Sequence, residues 1–331
     1  MKRIATTLIS LALLWGGIAQ AATLKIATVA PEGSEWMTDL RASAKEIRDR
    51  TEGRVVFKYY GGGSQGTDEQ VLRRMKINSL QGGVFTPSAL MGQYPDIGLY
   101  GLPMLFASEE EAAFVRAEMD TKLKAGLEDA GFISFGFSAT GFALLMSRDP
   151  VTSLADLRGK RVWVPEGDEI SKVSMEAMDV SPLPLPLTDV YTSLQTGNLD
   201  IIAMSSVGAV VLQYHTRLNY VTDLPLVYTI GLMVVDKKAF SKISAADQAI
   251  VYEVMNGLYE RYDTKNLADD RNAKQALFDA GLERIVPAAS EVDQIRATLS
   301  ASNRAMADGG VVSSALYEET LKLVEQYRAG E

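Results

Sequence analysis

Side chains that catalyse hydrolysis are scarce in this sequence. It contains one histidine, His215, and no cysteine. Disulfides, thiolate nucleophiles and zinc sites built from several histidines or cysteines are therefore excluded. A serine nucleophile would need His215 as its base, and Ser205 and Ser206 lie shortly before it in the sequence. A hydrolase or isomerase stays open only as an alternative that depends on these three residues.

Carboxylates gather in one short segment, at Glu166, Asp168 and Glu169. Paired carboxylates can act as the acid and base of a glycosidase, but acidic residues are also common in the first turn of a helix, where they interact favourably with the helix dipole. We interpret this segment as the start of a helix near residue 169. The sequence has no Asp-x-Asp-x-Asp ladder, which is the pattern of a calcium-binding loop. We predict no catalytic residue, no metal and no cofactor.

A glycine-rich segment, GGGSQGT at residues 61–67, has the composition of a phosphate-binding loop. It lacks the Gly-Lys-Ser/Thr that completes a P-loop. We interpret it as a turn between a strand and a helix. The alternative is an anion-binding site, in which its backbone N–H groups and the helix N-terminus at Asp68 bind a small anion.

The composition is that of a globular protein large enough for two domains, with 331 residues, 47% of them hydrophobic and 23% charged. The formal net charge is −9. This acidic balance argues against nucleic acid and anionic membranes as partners.

The N-terminus has the pattern of a secretory signal peptide. Lys2 and Arg3 precede an apolar run at 8–15, and Ala19-Gln20-Ala21 offers a small-residue cleavage site. We expect residues 1–21 to be removed near Ala21, which changes the net charge to −11, and the mature chain to reach the periplasm. No second stretch is long enough for a membrane span, so we expect no direct membrane insertion.

Alternating strand and helix patterns open the mature chain. The hydrophobic periodicity predicts strands at 24–29, 55–60 and 80–85 and helices at 34–51 and 68–77, with Thr67 and Gln70 as a capping box before the second helix. Repeated βα units of this kind favour an α/β fold with a largely parallel sheet.

The same analysis covers the rest of the chain. Ser108 and Glu111 open a helix that ends near residue 129, and an apolar run follows at 132–146. The pattern predicts strands at 161–164, 182–187, 199–204, 232–235 and 282–286, and helices near 169–180, 188–197, 244–280, 290–307 and 313–329. The helix at 244–280 would be roughly 55 Å long at about 1.5 Å per residue, which is longer than one domain.

Three segments resemble the TRAP-type (DctP-family) extracytoplasmic solute-binding proteins. They are SLADLRGKRVWVPEG at 153–167, YTSLQTGNLD at 191–200, and the opening APEGSEW at 30–36. The resemblance implies an α/β, two-lobed periplasmic binding protein fold (type II-like), with a central cleft, hinge strands and a long helix spanning both lobes. It places the first lobe at 22–142 plus 232–275 and the second at 143–231 plus 276–331.

The sequence departs from the family pattern at three cleft positions. Trp163 stands where the family usually places an arginine that pairs with the ligand carboxylate, Ala143 stands where a second cation is common, and Ala203-Met204 replaces a polar pair. A guanidinium binds a carboxylate through a planar fork that a neutral side chain does not reproduce. We therefore expect a neutral, aromatic or zwitterionic ligand rather than a simple C4-dicarboxylate. If the register of the strand at 161–164 differs by two residues from the expected one, Arg161 faces the cleft and supplies a cation there.

The resemblance also implies the residues that line the cleft. Core packing is the alternative role for Trp163, Phe85, Phe142 and Tyr191. The expected ligand-binding residues are Glu32, Trp36, Phe85, Ser88, Phe142, Ala143, Trp163, Glu166, Met204 and Ser205.

The resemblance implies a receptor that binds a small organic solute between its lobes and delivers it to the membrane permease subunits of a TRAP-type transporter. Two alternatives remain open from the sequence: a receptor that presents its ligand to a membrane sensor kinase, and an exported α/β hydrolase.

Overall fold

The first part of the fold alternates strands and helices. A computed structural model describes residues 21–330, apart from the side chains at 264, 266 and 267, so the predicted signal segment lies outside the described residues except for its last position. Ser34 caps the first helix by accepting from the N–H of Met37, and Thr67 with Gln70 forms the predicted capping box. The elements are β1 (Ala22–Ala27), α1 (Glu35–Arg50), β2 (Val55–Tyr60), α2 (Asp68–Lys76), β3 (Gly82–Phe85), α3 (Glu109–Asp129) and β4 (Phe132–Ser134).

The second part continues the alternation and ends in helices. Gly197 ends one helix in the left-handed conformation (φ 74°), as its place after the helical pattern predicts. The elements are β5 (Ser138–Ser147), β6 (Val162–Pro165), α4 (Glu169–Ala177), β7 (Pro182–Leu185), α5 (Val190–Thr196), β8 (Ile201–Met204), α6 (Ser206–Val211), β9 (Tyr220–Asp236), α7 (Lys237–Phe240), α8 (Ala245–Asp279), β10 (Glu283–Ile285), α9 (Ala289–Asp308) and α10 (Ser314–Gly330).

One mixed sheet runs through the molecule in the order β2-β1-β3-β9-β5-β8-β6-β7, and β4 and β10 also pair with β9. The outer pairs β1–β2, β1–β3, β6–β7 and β6–β8 are parallel. The central pairs β3–β9, β5–β9 and β5–β8 are antiparallel. The expected parallel sheet is thus correct for the outer strands, and the strands that connect the two halves run against them.

Two predicted segments have different bounds in the structure. The apolar run at 132–146 divides into β4 and β5, because Phe135 and Phe137 turn into different cores. A Cβ on the intervening Gly136 would lie 2.7 Å from Cβ of Tyr259, so the glycine allows α8 to pack closely there. The predicted strand at 232–235 is the end of β9, a 17-residue strand that pairs with β5 in its first part and with β3 in its last.

The terminal helices pack on both halves of the molecule. α9 contacts α4, whereas α10 contacts α3. Tyr317 and Val324 belong to the same buried cluster as Val115 and Met119 of α3. Arg328 also donates to the carboxylate of the buried Glu111, with Nε at 2.6 Å from Oε1. The lobe boundaries given above stay a prediction.

A buried cation joins four elements where β5 begins. Arg116 of α3, 6% exposed, donates to both carboxylate oxygens of Asp263 of α8 at 2.9 Å. It also donates to Asp120 at 3.0 Å, to the carbonyl of Phe137 at 2.8 Å and to Oη of Tyr228 in β9 at 3.3 Å. A guanidinium out of water needs such partners to offset its lost hydration. The network therefore fixes α8 against the start of β5.

We expect Arg116→Ala to lower the free energy of unfolding by about 1.5–3 kcal/mol, because it removes the charge-assisted hydrogen bonds to Asp120, to Asp263 and to the carbonyl of Phe137. Urea denaturation followed by circular dichroism measures the change. The control is Arg50→Ala, whose partner Glu253 is 68% exposed and whose removal should change the stability little. Equal small changes in the two variants would contradict the assigned role.

Candidate functional site

A cavity of about 560 Å³ lies where strand ends from both halves of the sheet converge. Such crevices outside the carboxyl ends of strands are common ligand sites in α/β folds. Its walls include the residues after β1, β3, β6 and β8, the start of β5, the middle of β9 and the inner face of α8. The volume fits a small organic molecule.

Seven of the ten predicted ligand-binding residues line this cavity: Trp36, Phe85, Ser88, Trp163, Glu166, Met204 and Ser205. The other three are placed elsewhere. Glu32 is exposed and pairs with Arg41 at 2.7 Å. Phe142 packs in the core against Tyr228, with 5.5 Å between ring centroids, and Ala143 is buried in β5 opposite Val227. The binding roles themselves stay predictions.

Several lining residues were not among those predicted. They come from the start of α2, from β9 and from α8, and they include Asp68, Tyr228, Thr229, Tyr259 and Tyr262. Tyr259 and Tyr262 are three residues apart on one face of α8, a spacing that predicts burial but not which space the face borders. Asp68 directly follows the glycine-rich segment at 61–67, and this position was the sequence signal that could have identified it as a lining residue.

Trp163 is both a core residue and a wall of the cavity. It is 4% exposed, and its Nε1 donates to the carbonyl of Leu185 at 3.0 Å. Its N–H is therefore already used, so the ring face is what remains for a ligand. Arg161 is not a lining residue: its Nε and Nη2 donate to the carboxylate of Asp200 at 2.8 and 2.6 Å. The alternative register that brings Arg161 to the cleft is wrong.

The cavity wall is acidic. Among the described residues that line it, no lysine, arginine or histidine occurs, whereas four are carboxylates: Asp68, Glu69, Glu166 and Asp168. Burial, together with the negative charge of Glu166, raises the pKa of Asp68 to about 6. Burial also raises the pKa of Asp168, although its carboxylate accepts from the N–H and hydroxyl of Ser171 at 3.0 and 2.7 Å as the cap of α4.

The glycine-rich segment at 61–67 is the turn that its sequence indicates. The N–H of Gly62 donates to the carbonyl of Ala30 at 2.8 Å, and the N–H of Gly63 donates to that of Thr28 at 3.0 Å. These two amides hold the turn against the end of β1. With their hydrogen bonds used and the carboxylate of Asp68 at the start of α2, the alternative of an anion site has little support.

Ser205 and His215 make hydrogen bonds to backbone groups rather than to each other. Nδ1 of His215 lies 3.1 Å from the carbonyl oxygen of Ala209, while Oγ of Ser205 accepts from the N–H of Gly208 at 3.3 Å as the cap of α6. Within residues 21–330, no three His, Cys, Asp or Glu side chains come close enough together to hold a metal ion. Over the same residues, no helix has the length and apolar character needed to cross a membrane.

The family model for "Bacterial extracellular solute-binding protein, family 7", DctP, matches residues 26–308. The chain belongs to this family. The resemblance drawn from the sequence motifs is thereby confirmed, and so is the class of function: an extracytoplasmic solute receptor of the TRAP type, which is a transport protein rather than an enzyme.

Individual relatives agree with this assignment. The 2,3-diketo-L-gulonate-binding periplasmic protein YiaO of Escherichia coli is 25% identical over 260 residues, which cover 75% of each chain. A TRAP periplasmic solute binding protein from Haemophilus influenzae with bound L-gulonate superposes with a TM-score of 0.83 at 18% identity, covering 92% of this chain and 99% of that one. One from Desulfovibrio salexigens with bound orotic acid gives 0.82 at 19%, covering 93% and 99%. The two-lobed fold is confirmed.

For this DctP-family receptor, we expect Asp68→Asn to raise the melting temperature at pH 7.5 and to change it much less at pH 4.5. The pKa of Asp68 rises from 3.8 to about 6 in the folded protein, so the native state binds this proton more tightly than the unfolded chain. The resulting stability is present below about pH 4 and is lost as the pH rises through about 6. Such a shift corresponds to about 2 to 3 kcal/mol, more than the roughly 0.3–1 kcal/mol that a carboxylate gains at a helix N-terminus.

Thermal unfolding across this pH range measures the effect. Asp49→Asn is the control, since it changes the same groups at an exposed site where Asp49 pairs with Lys45. A shift for Asp68→Asn of the same size at both pH values would contradict the assigned environment.

Proposed function

We propose that this receptor binds a small zwitterionic or cationic organic solute in the acidic cavity and delivers it to the permease of a TRAP-type transporter. The observation that carries the proposal is the charge of the wall: four carboxylates and no basic side chain among the described lining residues. The ligand is then a molecule with an ammonium or similar positive group. A simple C4-dicarboxylate is the kind of solute that this wall disfavours.

The charge argument follows from the energetics of desolvation. A carboxylate that leaves water needs a cation or several hydrogen bonds in return. An arginine fork supplies both in one group, but here Trp163 occupies the family's arginine position and the nearby Arg161 pairs with Asp200. A dicarboxylate would bring two negative charges toward Asp68 and Glu166 without a compensating cation. A positive group relieves the repulsion between those two instead.

The remaining wall suits a ligand with an apolar or aromatic body. Trp36, Phe85 and Tyr262 offer ring surfaces, and a cation over an aromatic face gains roughly 0.5 to 2 kcal/mol. The hydroxyl groups of Thr140 and Thr229 lie at the start of β5 and in β9 and bond to each other at 2.8 Å. Because the hydroxyl of Thr229 donates to the carbonyl of Gly141 at 2.6 Å, the hydroxyl of Thr140 is the donor of this pair, and the two oxygens offer neutral acceptors to the donor groups of a ligand.

Binding at this site would hold the two lobes together. Asp68 belongs to the predicted first lobe and Glu166 to the predicted second, and both border the cavity. A solute shifts an open–closed equilibrium only through contacts that differ between the two states. A positive group between these carboxylates makes such contacts, and its arrival favours the closed receptor that a permease recognises.

A thermal-shift screen with three probes tests the ligand class: tyramine as an aromatic cation, phenylalanine as an aromatic zwitterion and succinate as a dicarboxylate. We expect stabilisation by at least one of the first two and none by succinate. Stabilisation by succinate alone would overturn the proposal. Titration of tryptophan fluorescence then gives the affinity, because Trp36 borders the cavity.

For the amine that binds in this screen, we expect Asp68→Asn and Glu166→Gln each to weaken binding about tenfold or more, since one charge-assisted contact is worth about 1.5–3 kcal/mol. Wild-type affinity should fall as the pH drops through about 6, where Asp68 gains its proton, and Asp68→Asn should lose this dependence. Glu32→Gln is the matched control, because Glu32 carries the same charge outside the cavity wall. Equal losses in all three variants would point to a general charge effect and contradict the assigned contacts.

The receptor works outside the cytoplasm, and we propose the periplasm as its compartment after removal of residues 1–21. Lys2, Arg3 and the small residues at 19–21 support this processing site. Mass spectrometry of the protein purified from the periplasmic fraction should give an N-terminus at or beside residue 22. A mature protein that still begins at residue 1 would contradict the assignment.

A further inference from the structure

Asp270, a second carboxylate on α8, contacts the backbone at the start of α6, next to the cavity wall. Asp270 is 8% exposed and lies seven residues after Asp263, on the same face of the helix because two helical turns take about seven residues. Its Oδ1 accepts from the N–H of Val207 at 3.2 Å, and the nearby backbone N–H of Ser206 favours the ionised form of the same carboxylate. These two amides open α6, directly after the cavity-lining Ser205.

The same carboxylate touches the strand that crosses the molecule. Gly141 has φ 87°, next to a bulge in the pairing of β5 with β9. A Cβ at Gly141 would lie 2.4 Å from Cγ of Asp270, so only a glycine lets α8 approach this closely. On the other side of the bulge, Asp263 accepts from the N–H of Ala139 at 3.1 Å. Thr140, which lies between them, borders the cavity.

We propose that Asp270 is a positioning residue that couples the solute-lining turn at 204–208 to the hinge strand β5 and the long helix α8. It is not itself a lining residue, so it acts through the groups that it holds. With Asp263, it attaches α8 on both sides of the bulge at Thr140. Movement of the turn toward a solute is thereby transmitted to the crossing strand, whatever the charge of the solute.

Hydrogen exchange tests the local part of this proposal. In the mature protein, Asp270→Ala removes the acceptor of the Val207 N–H, and the amide of Val207 should exchange about tenfold faster or more, as measured by mass spectrometry on peptides covering 204–209. Asp270→Asn replaces the charged acceptor by a weaker neutral one and should accelerate the Val207 amide by a smaller factor. Asp269→Ala and Asp269→Asn are matched controls, because Asp269 pairs with Lys265 on its own helix. Unchanged protection in Asp270→Asn overturns the proposal, even where Asp270→Ala does not fold.

Distances between the lobes test whether Asp270 also affects the relative position of the two lobes. The chain has no cysteine, so Lys76→Cys on α2 and Gln195→Cys on α5 place two spin labels at exposed sites. Pulsed electron resonance on the solute-free protein should show a shifted or broadened distance distribution for Asp270→Ala and a nearly wild-type one for Asp270→Asn and Asp269→Ala. A wild-type distribution in a folded Asp270→Ala restricts Asp270 to a local role and overturns the coupling. Neither measurement uses a solute, so both outcomes are independent of the proposed ligand class.

Discussion

The antiparallel crossing of β5 and β9 beneath α8 is the constraint on which the rest of the receptor depends. β9 pairs with β3 at one end and with β5 at the other, so a single strand belongs to both halves of the sheet. α8 is held to this crossing by hydrogen bonds to Asp263 and by the close approach at Gly141. Because β5, β9 and α8 also supply residues that line the cavity, the same contacts fix part of the cavity wall.

The carboxylates of the cavity wall destabilise the folded receptor. Burial and the nearby negative charge of Glu166 disfavour ionisation of Asp68, whose pKa is raised, and no basic lining residue among those described offsets this charge. Elsewhere in the receptor, buried charges have partners, as Arg116 and Glu111 do. Charged side chains without a partner are expected at a functional site, because the ligand supplies the partner when it binds.

Local sequence signals predicted the elements of this fold well, because caps and periodicity act over a few residues. Thr67 with Gln70 and the glycine at 197 mark helix ends that the structure reproduces. The division of the run at 132–146 was not predictable in this way, since it depends on how Gly136 meets Tyr259, more than a hundred positions later. The lining tyrosines of α8 were missed for the same reason. A helical stripe shows which residues are buried and leaves open whether a core or a cavity receives them.

Strand β6 shows why the charge of the site can change while the fold persists. Val162 and Val164 face one core and Trp163 faces another, as the alternation of side chains along a strand requires. Residue 161 lies before the strand and its side chain turns to Asp200. Within β6, therefore, 163 and Pro165 are the positions that reach the cavity, and the side chain at 163 decides whether this part of the wall is cationic. The indole satisfies its own N–H on Leu185 and leaves an uncharged face, so the adjacent carboxylates set the charge that a ligand meets.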